Sequence, residues 1–327
     1  MIEVDKSIRY GISCLWARFK NYFMDDFAMY NLLFDMIFMP LVAFIVGLGL
    51  VLMMRRVRAK IERRVGPPVL QPIYDILKLY AKTTQISHGY MHDIAVMMLL
   101  GGYIASMLLL PVPGMNGLAA QTDLITLLYL LMVPMLGMAL GVGQCANPNG
   151  SIGISRALSA MLAYDVPFII VIAGMAMHYN TTNLIDIVHI QQYQGVSGWG
   201  ISTMPLLAIA GLISMHAMLG KEPFEIYVAP AEIATGPMVE MSGKYMGALF
   251  VMQCFQLYTI GGLYTLLFLG GGENWATFLL KITVVVFIPV AITNVYGRYR
   301  TDDAIRWLWK YPTGLALLGL AIVMLNK

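Results

Sequence analysis

Apolar stretches long enough to cross a bilayer recur eight times along this chain, and that repetition excludes a soluble globule. They fall at about 29–54, 93–111, 123–143, 155–178, 200–219, 244–270, 275–297 and 308–326. Each is close to the ~20 residues that a helix needs to cross ~30 Å of hydrocarbon. Charged residues make up only 12% of the 327, against 59% hydrophobic, and the mean hydropathy is +0.71. The expected fold is an all-α integral membrane protein: about eight transmembrane helices plus interfacial amphipathic helices. Pro40, Pro134, Pro167, Pro205 and Pro289 lie inside spans, where helices of a bundle accommodate them. Gly101, Gly102, Gly137, Gly141, Gly261 and Gly262 suit close contact between helices.

The basic residues set the topology. The segments after the first, third, fifth and seventh spans carry Arg55, Arg56, Arg58, Lys60, Arg63, Arg64, Lys78, Lys82, Arg156, Lys221, Lys244, Arg298, Arg300, Arg306 and Lys310. The opposite loops, near 112–122, 179–199 and 271–274, carry none. By the positive-inside rule the basic loops face the cytoplasm of a plasma-membrane protein and both termini lie outside. Residues 1–28 hold Lys6, Arg9, Arg18 and Lys20 among Trp16, Phe19, Tyr22 and Phe23. They read as an amphipathic helix on the outer surface, without the apolar core or cleavage site of a signal peptide. The chain reads as a single polytopic membrane domain over 1–327, with a basic cytoplasmic loop that carries an interfacial helix at 55–92 and an acidic cytoplasmic loop at 220–243.

Several functions are excluded by what is scattered. The net charge of +3 follows from the topology and implies no nucleic-acid partner. Cys14, Cys145 and Cys254 form no CxxC pair, and His88, His92, His178, His189 and His216 are dispersed, so neither a zinc site nor an iron–sulfur cluster is expected in this chain. No internal repeat is visible, which weighs against an inverted-repeat transporter.

Four elements stand out. Glu62-Arg63-Arg64-Val65-Gly66-Pro67-Pro68 turns the chain, and beyond Gln71-Pro72 the residues Ile73, Ile76, Leu77 and Tyr80 share one helical face while Asp75, Lys78 and Lys82 share another. The second loop holds Lys221-Glu222-Pro223-Phe224-Glu225, then Glu232, Gly236-Pro237, Glu240 and Lys244. Its apolar Phe224, Ile226, Tyr227 and Val228 fold it back onto protein, where a carboxylate resists ionisation and exchanges protons near neutral pH. Glu240 and Lys244, four apart, are spaced to pair on a helix. Asp165, in Tyr164-Asp165-Val166-Pro167, lies about ten residues, or ~15 Å, into its span; an acid at that depth marks a pathway or a partner. Lys281 is near enough to the outer end of its span to snorkel. Arg298-Tyr299-Arg300-Thr301-Asp302-Asp303…Trp307-Leu308-Trp309-Lys310 combines an interfacial anchor with the mixed charge of a docking surface.

Taken in order, these elements resemble the membrane subunit of respiratory complex I that joins the redox arm to the ion-pumping arm, and its counterpart in membrane-bound, energy-converting NiFe hydrogenases. The likeness runs from about residue 40 to residue 315. It implies no catalytic residue and no cofactor in this chain, the NiFe and iron–sulfur centres being held by partner subunits. The implied partners are peripheral hydrogenase-like large and small subunits, antiporter-like membrane subunits and the lipid bilayer. It also implies a proton or ion path through Asp165, Glu222, Glu225, Glu232, Glu240 and Lys244. The peripheral arm would dock on Arg63, Arg64, Gln71, Asp75, Lys78, Arg298, Arg300 and Asp302. The quinone-reducing branch has Gly-Pro-Asn-Arg where this chain has Gly66-Pro67-Pro68-Val69, and further acids where it has Val228 and Pro230. The resemblance therefore leans to the hydrogenase branch. A quinone-site subunit of complex I and the membrane subunit of a ferredoxin-dependent sulfur-reducing complex remain the alternatives, and a stand-alone transporter or a passive anchor are readings of other classes.

Overall fold

A computed structural model describes the backbone of residues 2–84, 90–115, 117–119, 123–143 and 147–325, and side chains within these from residue 32 onward. The expected outer-surface segment 1–28, His88 and Cys145 lie outside the described side chains. Helix α1 (Ile2–Ile61) leads to α2 (Gln71–Ala81), α3 (Tyr90–Leu108), α4 (Leu124–Val142) and α5 (Pro148–Tyr179). Then follow α6 (Leu184–Gln194), a one-turn α7 (Gly200–Thr203), α8 (Pro205–Met218), a one-turn α9 (Pro230–Ile233), α10 (Lys244–Phe268), α11 (Trp275–Val295) and α12 (Thr301–Leu325). Among the described residues, seven helices are long and apolar enough to cross a membrane.

The fifth expected span, 200–219, holds a helix shorter than its apolar run. Pro205 cannot continue the helix that begins at Gly200, so the backbone breaks at Met204 and α8 restarts with only 14 residues. At 1.5 Å per residue α8 covers roughly 21 Å, less than the hydrocarbon thickness. Helices α5 and α12 start several residues earlier than their apolar runs, because hydropathy marks the lipid-facing part of a helix and not its hydrogen-bonded ends.

Lipid offers no hydrophobic drive for helix association, so close packing must supply it. Helix α10 is buried over most of its length, against α1, α3, α11 and α2. Helices α12 and α8 pack with α5, and α4 joins α3 to α5. The glycines work largely as expected. Gly102 meets Pro134, Gly137 meets Met98 and Ala95, and Gly261 meets Val286, while Gly101 faces open space. The tightest crossing was not among them: a Cβ at Gly47 of α1 would overlap the Cys254 carbonyl of α10.

Lys281 reaches back past the start of its own helix, and its ammonium ends on protein: it donates to the Leu269 and Gly271 carbonyls at 2.7 and 2.6 Å and sits 4.2 Å from the Trp199 ring centroid. The last carbonyls of a helix have no intrahelical partner, which makes them acceptors for it. Gln191 and Gln192 cap the same turn, donating to Leu267 and Gly270.

Gly47→Val should force α1 from α10 and cost about 1–3 kcal/mol, the range for overpacking. It should be read as a lower thermal midpoint in detergent. Gly49→Val, whose Cβ would meet nothing within 4 Å, should leave the midpoint unchanged.

Candidate functional site

The three polar segments singled out in the sequence meet at one end of the bundle. The segment that follows α8 turns at Gly220, where φ is +58°, and is then pinned from below. The Glu222 carbonyl lies 2.8 Å from His216 Nε2 and accepts at 3.1 Å from Thr293, whose hydroxyl also reaches Pro289. A carbonyl only accepts, so His216 carries its proton on Nε2. The next carbonyl, of Pro223, accepts from the Tyr299 backbone N–H at 3.0 Å. Phe224 fills the wedge this creates, with ring centroids 5.7 Å from His216, 6.0 Å from Tyr299 and 5.5 Å from Trp307. Helices α8, α11 and α12 thus hold the loop against the bundle.

Its four carboxylates fall into different environments. Glu222 pairs with Arg58 of α1 at 3.5 Å, and Arg58 also holds Glu62 at 3.0 Å. Glu232 is clasped between Arg156 of α5 at 2.6 Å and Arg298 at 2.9 Å. The Arg156 bond, with Arg298 beside it, holds its carboxyl below the usual range. Glu225 is half-buried, with no cation at ion-pair distance among the described residues. Burial raises its proton affinity, against the opposing pull of Lys221. Glu240 closes a 3-10 turn over Gly236–Glu240 and Lys244 opens α10 beyond a left-handed Gly243. The two therefore do not occupy successive turns of one helix, contrary to their spacing.

Three tyrosines lie near Glu225 and the buried acid. Tyr227 adjoins Glu225, and burial together with that carboxylate pushes its phenol up to about 12. Tyr227, Tyr103 of α3 and Tyr164 of α5 lie within electrostatic reach of one another, and Tyr164 of Asp165. Gln256 bonds the Tyr103 side chain and donates to the Met218 carbonyl at 2.9 Å. Asp165 is 7% exposed, and its Oδ2 is buried with no hydrogen-bond partner among the described residues. A cavity of about 200 Å³ lies beside Glu225, Tyr227 and Gln256, ample room for water.

The expected docking residues divide as well. Arg63, Arg64, Lys78, Arg300 and Asp302 are exposed. Arg298 instead faces Glu232, and Asp75 is tied inward by Arg55 and Gln71, both at 2.8 Å. Burial acts to raise the Asp75 carboxyl, but those two bonds outweigh it and hold it low. On α2, Pro72 and Ile76 pack inward and the Tyr80 ring lies against Gly247 of α10, while Ile73 and Leu77 stay exposed, so the expected apolar face is divided between the protein and its surroundings. Sequence reasoning missed Tyr103, Tyr227, His216 and Lys221 as members of the site. For Lys221 and Tyr227 the signal was adjacency to the loop acids; Tyr103 and His216 sit in apolar spans with no local signal.

The Glu232 clasp gives a signed pH dependence. A carboxyl held low in the folded state stabilises above its unfolded value, ~4.3 for Glu, and loses that contribution as pH falls through the folded value. The side chain is 48% exposed, so screening limits the gain to under about 1 kcal/mol. Proteolysis of the 221–243 loop should stay slow through pH ~4.3 and rise only below it. Glu232→Gln should remove that step and raise cleavage modestly at neutral pH.

A model of the NADH dehydrogenase family matches residues 34–324. The NADH-quinone oxidoreductase H subunit of Geobacillus kaustophilus (strain HTA426) is 27% identical over 295 residues, covering 84% of this chain and 87% of that protein. Its namesake from Ralstonia pickettii (strain 12J) is 28% identical over 287 residues, 80% of each. In solved structures, a chain of the membrane-bound sulfane sulfur reductase, an archaeal respiratory membrane complex, superposes with a TM-score of 0.85 at 36% identity. The match covers 89% of this chain and 99% of that one. With a match over nearly its whole length, and the bundle and loop described above, this multi-pass membrane chain belongs to the NADH dehydrogenase family.

Proposed function

We propose that this chain joins a peripheral electron-transfer arm to the ion-moving part of a complex I-like respiratory complex, and that it carries the first proton-binding groups of the coupling path. It is a membrane subunit of such a complex by family and by fold. What supports the coupling role is that Tyr227, Tyr103 and Tyr164 lie within electrostatic reach of one another, Tyr227 of Glu225 and Tyr164 of Asp165. The path would run from a half-buried loop acid to an acid within a span, past hydroxyls that can each donate and accept. Reduction in the attached arm would change the field at the loop, Glu225 would change its proton occupancy, and Asp165 would pass that change to neighbouring membrane subunits. Glu222 and Glu232, each paired with arginine, serve chiefly to hold the loop.

The exposed Arg63, Arg64, Lys78 and Arg300 form the docking face for the peripheral arm, with the basic loops in the cytoplasm and the termini outside. The partners are hydrogenase-like large and small subunits holding NiFe and iron–sulfur centres, and antiporter-like subunits in the membrane. Gly66-Pro67-Pro68-Val69 in the first loop supports a branch that does not reduce quinone. The 36% identity to a sulfane sulfur reductase chain favours a second reading, in which the acceptor is a sulfur compound.

Affinity purification of the complex through this chain, followed by assays of hydrogen evolution, polysulfide reduction and quinone reduction, separates the branches. Hydrogen or sulfide production supports the branch that does not reduce quinone, and efficient quinone reduction overturns that assignment. In sealed vesicles, Asp165→Asn and Tyr227→Phe should each lower the ions moved per electron several-fold in complexes of normal subunit content. An unchanged ratio in both would remove the path.

A further inference from the structure

Two cavities lie under the basic end of the bundle, and they share two lining residues. The first, about 220 Å³, is lined by Arg55 and Arg58 of α1 and by Thr293 and Asn294 of α11. The second, about 200 Å³, holds Glu225 and Tyr227 and reaches Gln256. Lys221 and Gln253 line both. One is a cation and the other a neutral amide, so the charge at the partition belongs to Lys221 alone.

We propose that Lys221 is the gate charge of this path: its ammonium, standing between the arginine-lined cavity and the tyrosine-lined one, controls when Glu225 takes up and gives back a proton. The inference rests on the coupling role proposed above and assigns its control to one residue. The other cations near the junction are held by acids. Arg55 is bonded to Asp75, Arg58 to Glu62 and Glu222, and Arg298 to Glu232. Lys221 has no carboxylate at ion-pair distance among the described residues, so its field reaches Glu225 without being cancelled by a contact. A compact ammonium on a flexible four-carbon stem can turn to either cavity, whereas Arg55, Arg58 and Arg298 are each already bonded to a carboxylate.

The surroundings define the balance. Lys221 faces Glu225 and Glu222 from its own loop and Arg58 and Arg55 from α1; Arg298, before α12, acts on Glu225. Helices α10 and α11 contribute neutral Gln253, Thr293 and Asn294 to this junction. Burial lowers the proton affinity of Lys221 and raises that of Glu225, while each charge favours the other. Protonation of Glu225 cancels the attraction and frees the ammonium toward Glu222; loss of that proton draws it back. The ammonium therefore lies over the tyrosine-lined cavity only while Glu225 is charged.

The test uses the whole complex in sealed vesicles and reads protons moved per electron as a function of pH. Lys221→Met should lose most of that ratio. The acid-side midpoint of what remains should move up, because Glu225 loses the cation that favours its charged form. Lys221→Arg should restore both the ratio and the midpoint, which replacement of a mere packing group would not require. Lys221→Gln takes the place of the Met variant should that one fail to assemble. A wild-type ratio and midpoint in Lys221→Met overturns the proposal. So does an Arg variant that behaves like the Met variant, since the side chain would then have to release its own proton. Glu225→Gln with a wild-type ratio would instead remove the underlying path, so the two failures are told apart.

Discussion

Two consecutive backbone carbonyls, of Glu222 and Pro223, hold the acidic loop to the membrane bundle. Their donors come from three places, His216 on α8, Thr293 on α11 and the Tyr299 backbone ahead of α12. Each bond contributes only ~1 kcal/mol net, but a buried carbonyl without a partner costs more than that. The loop is therefore fixed where its carbonyls can be satisfied, and Phe224 seals the position among aromatic rings. Once the loop is there, Glu225 and Tyr227 line a cavity against the helices and are drawn out of bulk solvent.

The pinning separates loop acids that look alike in sequence. An exposed carboxylate between two guanidiniums, as Glu232 is, keeps its charge and acts as a clasp. A half-buried carboxylate facing an ammonium at longer range, as Glu225 is, stays responsive to its surroundings.

The opposite end of the bundle is organised by different means. Lys281, Gln191 and Gln192 cap the carbonyls at the end of α10. That closes the most buried helix with donors from α11 and α6 and leaves the ionisable groups of the site at the basic end. The short α8 belongs to the same division. Starting at Pro205, it places His216 two residues from its C-terminal end, beneath the loop it supports.

The membrane class, the helical architecture and the grouping of the basic loops were legible in the sequence, because bilayer thickness and the cost of unpaired polar groups act on composition and run length alone; the family was legible only through the resemblance of its motifs in order. Asp165 was legible for the same reason: an acid inside an apolar run is conspicuous whatever its neighbours. Which loop acid is a clasp and which is free, whether Arg298 faces outward or toward Glu232, and how Tyr103 on α3 comes within reach of Tyr164 on α5 were decided only by the tertiary structure. Those properties depend on distances between helices far apart in the chain, where a few ångströms separate a carboxylate in an ion pair from one with no cation in contact, and no local pattern of residues records them.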